Sequence, residues 1–543
     1  MGIDQELQTA VTAIRAQRLD EAIAVLGDVL KQRPGHVDAR WLLIQVFARQ
    51  GERDRALQQA SALLQSVPGN LEAINRVADY LHQRAWPLDP ATDAYRAYLD
   101  NHSDDANAAF NLAFYLGKDG EFEPAVAMYQ RALDLGIDAP EEAQVNIANI
   151  CMDHLYDNEQ AQTHLERALE LNPRYKGAWY NLGNLSERLG DRERAQACFE
   201  KCLELDPQDT AALARLGEVH RFESPQDPIL ARLQTAAPAS RNSSLHFALG
   251  RAHDQLGDYD AAWRQFTKAN RLDRRYLAPY DPAKIEEQFR RIISVFDASR
   301  LAQFPGESHS PIFICGMFRT GSTLLEQMLG AHPAVTAGGE QEYFSRLVHR
   351  HLADYPNDLK QLTAEKVEAW RENHRVHCER LTRGATRLTD KRPDNFLFVG
   401  LIKTIIPAAR FVVTERDWRD VALSIFSNRL GAAQNYATRL QDIRHYLDQH
   451  ARLVDHWAEV LGNDLLRVRY ADLVADPRGT LGGLLEALDL AWDDRCLAFN
   501  QPGRSVSTAS AWQVREPLYS TSIGRWRNYE LEFRKAFGDE IGP

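Results

Sequence analysis

The chain has 543 residues, of which 44% are hydrophobic and 26% charged, a composition typical of a globular protein with more than one domain. Its formal net charge of −12 argues against a protein that binds nucleic acid over its whole surface, although a local basic pocket is compatible with it. The sequence has no run of about 18 apolar residues and no basic start followed by an apolar run, so we expect no membrane-spanning helix and no signal peptide.

The first half of the chain repeats a pattern about every 34 residues. Gly190 is followed five, nine and seventeen residues later by Ala195, Phe199 and Pro207. This pattern resembles the tetratricopeptide repeat, in which the small residue lets two helices cross closely and the aromatic residue fills the gap toward the next repeat. About eight units fit between residues 3 and 276. Further units are marked by the glycines Gly51, Gly120 and Gly257.

Two of these units are irregular. One has extra prolines in QRAWPLDPATDAY, and the second helix of another is interrupted in RFESPQDPILARLQTAAPAS. The sequence predicts an all-α solenoid over residues 1–277 and a connecting segment over 278–310, in which AKIEEQFRRIISVFDASRLAQF forms one amphipathic helix. Such a solenoid presents a concave groove, so we expect it to recruit a peptide or protein, or else only to cap or dimerise the second half.

The second half, residues 311–543, predicts an α/β domain. PIFICG and ARFVVTERD are continuous apolar runs typical of buried parallel strands, and DLLRVRYADL predicts a third strand. Helical patterns such as WRDVALSIFSNRL lie between them. Alternating strands and helices indicate a parallel sheet with helices on both faces.

The segment ICGMFRTGSTLLEQML has the order of a phosphate-binding loop: a strand, a glycine turn and a helix. Gly316 and Gly321 have the spacing of a nucleoside-triphosphate loop, but Ser322 stands where that loop needs lysine, and Arg319 lies within the turn. Backbone N–H groups at a helix start bind phosphate, and a guanidinium can add a bidentate clamp. The missing lysine favours a ligand with less terminal charge and no catalytic Mg²⁺; the alternative is a purely structural turn.

Three segments in order, FRTGSTLLEQMLGAHPAVTAGGE, DKRPDNF and ERDWRDVALS, resemble sulfotransferases that use 3′-phosphoadenosine 5′-phosphosulfate (PAPS), in particular the tyrosylprotein sulfotransferase group. The resemblance extends over roughly residues 311–527 and implies a P-loop-like sheet domain without a metal. It implies a cofactor site formed by Arg319, Thr320, Gly321, Ser322, Thr323, Arg416, Ser424, Tyr470 and Arg525.

Sulfuryl transfer to a hydroxyl needs a base, stabilisation of the charge on the bridging oxygen, and in-line geometry. The resemblance places the base at Glu340, 21 residues after Arg319, and the lysine that stabilises the leaving group at Lys391. It also implies that Arg319 completes the clamp and that Ser507 contacts the sulfuryl group. Without the loop, such a glutamate is usually only exposed, and such a lysine usually caps a turn.

The sequence departs from the tyrosylprotein group at three places. Asn428, followed by Arg429, stands where the group has a phosphate-binding arginine. Ala337 and Thr389 replace a cysteine pair; with six cysteines and no C-x-x-C spacing, this predicts free thiols and a cytoplasmic location. Glu342 replaces an arginine that gathers acidic peptides, so the donor carries over better than the acceptor.

Four other polar residues near these segments are expected to have structural roles. We expect Asp417, Arg419 and Asp420 to form a solvated helix start after the second apolar strand. We expect His332 to lie at a helix end rather than to act as a base.

The sequence thus predicts a cytoplasmic, PAPS-dependent sulfotransferase that transfers a sulfuryl group to a protein tyrosine, a sugar or a small molecule and releases adenosine 3′,5′-bisphosphate. We expect no metal, nucleic acid or membrane partner. Two alternatives remain: a repeat-based scaffold with an inactive nucleotide domain, and a P-loop kinase. Ser322 in the lysine position and the lack of a clear acidic strand end for Mg²⁺ disfavour the kinase. The acceptor, the ligand of the repeats and the oligomeric state stay open.

Overall fold

A computed structural model describes residues 2–306, 309–382, 384–500 and 512–542. Packing divides the chain into two compact units, Met1–Leu185 and Ser186–Pro543. The second unit therefore contains the last repeats together with the α/β domain. The boundary expected at residue 277 falls between two helices, Tyr259–Asp273 and Pro282–Val295, and the boundary at residue 310 lies just before the first strand, Ile312–Gly316. Their use as limits of independently folding domains stays a prediction.

The repeat region is helical throughout, as predicted. Between residues 3 and 273 the structure describes sixteen helices, which follow one another along the chain as eight pairs. These are α1 Ile3–Arg15, α2 Leu19–Gln32, α3 Val37–Gln50, α4 Arg53–Ser66, α5 Leu71–Gln83, α6 Asp89–Asn101, α7 Ala106–Asp119, α8 Phe122–Asp134, α9 Pro140–Asp153, α10 Asn158–Leu171, α11 Lys176–Leu189, α12 Arg192–Leu205, α13 Thr210–Val219, α14 Pro228–Ala236, α15 Ser243–Gln255 and α16 Tyr259–Asp273.

The residues that define the repeat pattern have the conformations and burial that the pattern requires. The four marker glycines end the first helix of their pairs with φ between 78° and 89°, the left-handed region that glycine adopts without strain. The alanine five residues after each of them is fully buried. In the last pair, a Cβ on Gly250 would lie 2.5 Å from the ring of Phe266, so only glycine lets α15 and α16 approach this closely.

The connecting segment forms two helices, so the prediction of one continuous helix is wrong. α17 covers Pro282–Val295 and α18 covers Ala298–Leu301. Phe296, between the two helices, has an extended backbone, and this ends α17. Its side chain is fully buried against Gly400. The side chain of Asp297 then accepts a 2.7 Å hydrogen bond from the Arg300 N–H and caps the second.

The α/β domain has one five-stranded sheet in which every neighbouring pair is parallel, in the order β2-β3-β1-β4-β5. Its strands are β1 Ile312–Gly316, β2 Val335–Ala337, β3 Arg387–Asp390, β4 Arg410–Glu415 and β5 Leu465–Arg469. Its helices are α19 Ser322–Leu329, α20 Tyr343–His351, α21 Ala364–Thr382, α22 Val399–Ile405, α23 Trp418–Phe426, α24 Leu440–Leu461, α25 Tyr470–Ala475, α26 Pro477–Ala487 and α27 Glu530–Phe537.

Both faces of the sheet are covered, as continuous apolar strands predict. All five residues of β1 are buried. Its side chains alternate between two cores: Ile312 and Ile314 pack with α19 and α26, whereas Phe313 and Cys315 pack with α22 and α24. The second core also includes Phe266 of the last repeat. The last repeat helix is therefore part of the core of the second compact unit.

Two further observations concern the cysteines and the length of the apolar helices. The six cysteines lie within the described residues; all are buried, and none forms a disulfide bond. Among the described helices, none is both long and apolar enough to cross a membrane. The cytoplasmic location itself stays a prediction.

Candidate functional site

One candidate residue follows each of the five parallel strands, at the same edge of the sheet. Arg319 follows β1, Glu340 follows β2, Lys391 follows β3, Arg416 follows β4 and Tyr470 follows β5. The carboxyl ends of parallel strands form the crevice in which ligands bind, most often where the strand order reverses. β1 lies between β3 and β4, so its loop is at the centre of this edge.

The loop after β1 needs glycine at both of its predicted positions. A Cβ on Gly316, which has φ of 136°, would lie 2.7 Å from the carbonyl oxygen of Thr414 on β4. A Cβ on Gly321, with φ of 99°, would lie 2.5 Å from the ring of Tyr470. Arg319 also has a positive φ, 73°, a conformation that is strained for a residue with a side chain and is often found at ligand sites.

The other loop residues are placed in different ways. Ser322 and Thr323 are buried in the first turn of α19, and the backbone N–H groups at a helix start favour an anion. The hydroxyl of Thr320 is used inside the protein, since it donates to the Met317 carbonyl at 2.7 Å and lies 2.7 Å from the hydroxyl of Thr414. The predicted contact of Thr320 with a cofactor would therefore come from its backbone.

A cavity of about 400 Å³ lies at this edge of the sheet. Its volume is within the range of about 300–1,000 Å³ usual for small-molecule sites. Eight of the nine predicted cofactor residues line it: Arg319, Gly321, Ser322, Thr323, Arg416, Ser424, Tyr470 and Arg525.

Three of the lining residues are arginines and two, Asp420 and Glu516, are acids, so the charged residues of the lining are positive in sum. Burial, with Arg416 nearby, lowers the pKa of the Arg319 guanidinium to about 10, and burial lowers the pKa of Arg416. Arg319 donates from Nε to the Ser424 hydroxyl at 2.8 Å. Nε of Arg416 is buried without a hydrogen-bond partner among the described residues. Gathered guanidiniums that lose solvation and repel one another are the arrangement expected for an anionic ligand.

A carboxyl-terminal segment, residues 512–529, closes one side of the cavity. Arg416 donates to the Ser522 carbonyl, and its guanidinium lies 4.8 Å from the centre of the Tyr470 ring. The Tyr470 hydroxyl lies 2.8 Å from that of Ser522. Asp420 is buried and accepts hydrogen bonds from the backbone N–H groups of Gly524 at 2.7 Å and Trp526 at 3.0 Å. The expectation that Asp420 is solvated is therefore wrong.

The two predicted catalytic residues on the other side of β1 form an ion pair. Nζ of Lys391 lies 2.5 Å from Oε1 of Glu340. The lysine is fully buried, whereas 36% of the glutamate side chain is exposed. Within the described part of the chain, neither is among the residues that line the arginine cavity. The site thus has an arginine-lined cavity and, after the strands on the other side of β1, a glutamate–lysine ion pair.

Glycine and a buried acid fix the position of Glu340. A Cβ on Gly338 would lie 2.2 Å from the Thr389 carbonyl, and the Gly338 N–H donates to that oxygen at 3.1 Å. Glu326 of α19 is buried and accepts from the Gly339 N–H and from the Thr389 hydroxyl, each at 2.9 Å. Burial raises the pKa of Glu326. The sequence did not predict that Glu326 supports the chain before Glu340. It stands among the apolar residues of α19, at a position that would suit a core residue.

The departures from the tyrosylprotein group have clear structural counterparts. Ala337 and Thr389, at the positions of that group's cysteine pair, are register partners on β2 and β3. The side-chain nitrogen of Asn428 donates to the Ser424 carbonyl at 2.8 Å. Nε of Arg429 lies 3.7 Å from Asp273 of the last repeat, and Arg429 is not among the described cavity-lining residues.

The remaining candidates divide into described and undescribed residues. Ser507 lies outside the described residues. His332 is buried, with Nε2 2.9 Å from the Ala491 carbonyl and Nδ1 accepting from the Ala334 N–H, so its position is structural, as expected. Asp417 starts α23 as expected, because its side chain accepts from the Arg419 N–H, and it is 35% exposed. The Arg419 side chain is only 14% exposed and lies over the Trp526 ring, so its expected solvation is wrong.

A cluster elsewhere in the domain has side chains that could bind a metal. The ligand atoms of His309, His374 and Cys378 lie within 4.8 Å of one another. Nε2 of His309 is 2.7 Å from Nδ1 of His374, so the two imidazoles already form a hydrogen bond. Their three donor atoms are one fewer than a closed structural zinc site requires. The expected absence of a catalytic metal stays a prediction.

Arg416→Ala should weaken binding of adenosine 3′,5′-bisphosphate by on the order of 1.5–3 kcal/mol, the range for a hydrogen bond to a charged group. The substitution removes a guanidinium from the cavity and also its contacts with Arg319 and Ser522. Isothermal titration calorimetry measures the change. Arg467→Ala is the control, because Arg467 on β5 pairs with Glu415 and Asp455 away from the cavity. An unchanged affinity for Arg416→Ala would contradict the assignment of Arg416 to the phosphate site.

Comparison with known proteins identifies two kinds of domain. Residues 311–494 match a model described as "Sulfotransferase family". One tetratricopeptide-repeat model matches residues 7–70 and 156–191. A second matches residues 177–209 and 243–276. The chain therefore has tetratricopeptide repeats followed by a sulfotransferase-family domain.

Similar proteins match only part of this chain. An uncharacterized protein of Aquifex aeolicus is 32% identical over 54% of the chain and 41% of its own length. Protein-tyrosine sulfotransferase A of Caenorhabditis elegans is 28% identical over 43% of the chain and 65% of its own length. The protein-tyrosine sulfotransferase of Drosophila melanogaster is 26% identical over 40% of the chain and 46% of its own length. The chain thus spans less than two thirds of each of these relatives.

Solved structures with similar parts have low scores. The sulfotransferase domain from the Synechococcus PCC 7002 olefin synthase is 21% identical, with a TM-score of 0.33, over 41% of this chain and 90% of that domain. YrrB, a tetratricopeptide-repeat protein with an unusual peptide-binding site, is 21% identical, with a TM-score of 0.28, over 33% of this chain and 93% of its own. At these scores neither similarity supports an argument about function.

Proposed function

We propose that the protein transfers a sulfuryl group from PAPS to a hydroxyl acceptor and releases adenosine 3′,5′-bisphosphate. The observation that supports this most strongly is the arrangement at the strand ends. An arginine-lined cavity suited to a doubly phosphorylated nucleotide lies next to an ion pair of Glu340 and Lys391. The family match of residues 311–494 supports the class of reaction.

The residues of the cavity suit the nucleotide part of the donor. The loop and the start of α19 offer backbone N–H groups to the phosphate nearest the sulfuryl group. Arg416 and Ser424 would hold the 3′-phosphate, and Arg319, hydrogen-bonded to Ser424, would lie between the two phosphates. The Nε of Arg416 that lacks a described partner would gain one from a phosphate oxygen.

Glu340 would accept the proton of the acceptor, and Lys391 would stabilise the charge that develops on the leaving oxygen. The acceptor oxygen forms a bond to sulfur while the bond from sulfur to the bridging oxygen of the donor breaks. The acceptor proton moves to the Glu340 carboxylate. The electron pair of the broken bond stays on the bridging oxygen, whose charge is stabilised by the Lys391 ammonium and Arg319. Lys391 would have to exchange its contact with Glu340 for one with the leaving group.

A P-loop kinase is the alternative enzyme, and two acids end strands next to β1, Asp390 on β3 and Glu415 on β4. Glu415 pairs with Arg467 at 3.0 Å. Asp390 ends β3, next to β1, where a Mg²⁺-binding carboxylate could stand. Asp390 is buried, and burial raises its pKa to about 8. Burial thus disfavours the ionised form of Asp390 that a Mg²⁺ ligand needs. Together with Ser322 in the lysine position, this favours sulfuryl transfer over phosphoryl transfer.

The charged residues near Glu340 bear on which acceptor the protein would bind. Glu342, two residues after the proposed base, pairs with Arg346 at 2.6 Å and lies 4.0 Å from Arg392. Its carboxylate is about half exposed at this edge of the site. Glu342 does not supply the cationic group that gathers acidic peptides in the tyrosylprotein group, so we propose a neutral or basic peptide tyrosine, a sugar or a small hydroxylated molecule. The repeats would recruit the acceptor or a partner protein.

Adenosine 3′,5′-bisphosphate should stabilise the protein against thermal unfolding. At about 100 times its dissociation constant, a ligand that binds only the folded state adds about 2.7 kcal/mol. Differential scanning fluorimetry with the bisphosphate, with ATP and with buffer alone measures the shift, and transfer of label from ³⁵S-PAPS to acceptor pools then tests the reaction. A shift with ATP and none with the bisphosphate would favour the kinase. Binding of the bisphosphate without any transfer would favour the scaffold.

A further inference from the structure

We infer that the last repeat is part of the nucleotide site: Asp254 of α15 positions Arg525, and Tyr259 of α16 forms a wall of the cavity. This inference rests on the proposed function, because it assigns a role in binding the same nucleotide. All of these residues lie in the second compact unit. It changes the role of the repeats from recruitment alone to completion of the catalytic domain.

Asp254 joins the last repeat to the cavity by two contacts. Its carboxylate pairs with the guanidinium of Arg525, which lines the cavity, and its other oxygen accepts from the hydroxyl of Tyr529. Only 11% of the Asp254 side chain is exposed, against 34% of the Arg525 side chain, so the carboxylate of this pair is less solvated than that of an ordinary surface ion pair. The carboxylate therefore fixes the direction in which a long, flexible cavity arginine extends.

Tyr259 brings the same repeat to the cavity surface. It is one of the lining residues, and its ring packs edge-on against that of Tyr529, with centroids 5.4 Å apart. One turn further along α16, Trp263 stacks on Phe426 at the end of α23, at 4.7 Å. The buried side chain of Asn270 donates to the Phe426 carbonyl at 2.7 Å. α16 is thus fixed to the helix that begins beside Arg416 and contains Ser424.

Other repeat residues hold the segment 512–529 that closes the cavity. Arg515 donates to the carbonyls of Glu187 and Arg188 at the end of α11. The guanidinium of Arg192 lies 4.2 Å from the centre of the Trp512 ring. A Cβ on Gly190 would lie 2.3 Å from Nε of Arg515, so this repeat glycine makes room for the contact. The segment that carries Arg525 is therefore held by the repeats at both of its ends.

These contacts predict an effect opposite to that of simple electrostatics. Removing the negative charge of Asp254 from the vicinity of a cationic cavity would by Coulomb's law strengthen binding of an anion. If Asp254 instead positions Arg525, its loss frees the guanidinium, and nucleotide binding must then pay for ordering it again. Positioning therefore predicts weaker binding, and the sign of the change separates the two explanations.

The test is the affinity of full-length Asp254→Asn for adenosine 3′,5′-bisphosphate, measured by titration calorimetry. We expect binding about tenfold weaker than in the original protein, corresponding to about 1.4 kcal/mol. The matched control is Asp260→Asn, which changes an exposed carboxylate in the first turn of α16. Asp254→Glu should restore part of the affinity, and Asp254→Asn should add little further loss to Arg525→Ala, because both act through one guanidinium.

The outcomes separate this inference from the proposed function. If the original protein binds the bisphosphate and Asp254→Asn binds equally well or more tightly, the positioning role is wrong while the proposed function stands. If the original protein does not bind the bisphosphate, the proposed function fails first. If Asp260→Asn lowers both the melting temperature of the unliganded protein and its affinity for the bisphosphate as much as Asp254→Asn does, the effect is general destabilisation. That result would also contradict the inference.

Discussion

Glu340→Gln should lower the rate of single-turnover sulfuryl transfer by about 10²- to 10⁴-fold, the usual contribution of a general base. Glutamine has nearly the same shape but does not accept the acceptor's proton. Affinity for adenosine 3′,5′-bisphosphate should change little, because the described lining of the arginine cavity does not include Glu340. The measurement is rapid-quench transfer from saturating ³⁵S-PAPS, with nucleotide binding titrated separately.

The control for this variant is Glu365→Gln, which changes an exposed glutamate in the first turn of α21. It should transfer at the original rate. Near-normal transfer by Glu340→Gln would contradict the role of Glu340, and Glu342, the next acid along the chain, would be tested in its place. His332 is a poor substitute, because both of its ring nitrogens have structural partners.

The part of the fold that the sequence predicts is the part set by local pattern. β1, β4 and β5 were predicted because each is a run of five or six residues with a clear apolar or alternating pattern. β2 and β3 have three and four residues, and their pairing depends on the close approach of Gly338 to Thr389. A strand of three or four residues is too short to show the alternation of apolar and polar side chains that predicts a strand. Its formation depends on its contacts with neighbouring strands.

The connecting helix shows the opposite failure, in which a continuous pattern hides a break. The apolar spacing runs through Phe296, but that side chain turns into the core beneath Gly400. Asp297 then starts a new helix by capping it. Asp297 was the available signal, since aspartate inside an amphipathic run is a common first residue of the next helix.

The residues of the candidate site divide in the same way. Arg319, Lys391 and Arg416 were predicted from the segments that resemble the sulfotransferase group, and the topology places each of them after a strand end at the same edge of the sheet. Asp254 and Tyr259 were missed because they occupy ordinary repeat positions, about 60 residues before the first strand. Their place beside the cavity depends on how the last repeat packs on α23, which no local pattern records.

Lys391→Met should reduce single-turnover transfer by about 10²- to 10³-fold, the cost of removing one preorganised donor from a developing charge. Methionine is chosen because Lys391 is fully buried and an unbranched side chain of similar length avoids leaving a cavity. The variant also leaves Glu340 without the ammonium 2.5 Å away, but that carboxylate is partly exposed and can be solvated. Transfer should therefore fall much further than stability.

Lys403→Met is the matched control, because Lys403 is also a largely buried lysine, paired with Asp464 at 2.6 Å beyond the opposite edge of the sheet. It should lower the melting temperature and leave the transfer rate per folded molecule unchanged. If Lys391→Met behaves like Lys403→Met, Lys391 supports the fold and does not stabilise the leaving group. In the double variant with Glu340→Gln, the loss should be smaller than the product of the two single losses, because both residues act in one transition state.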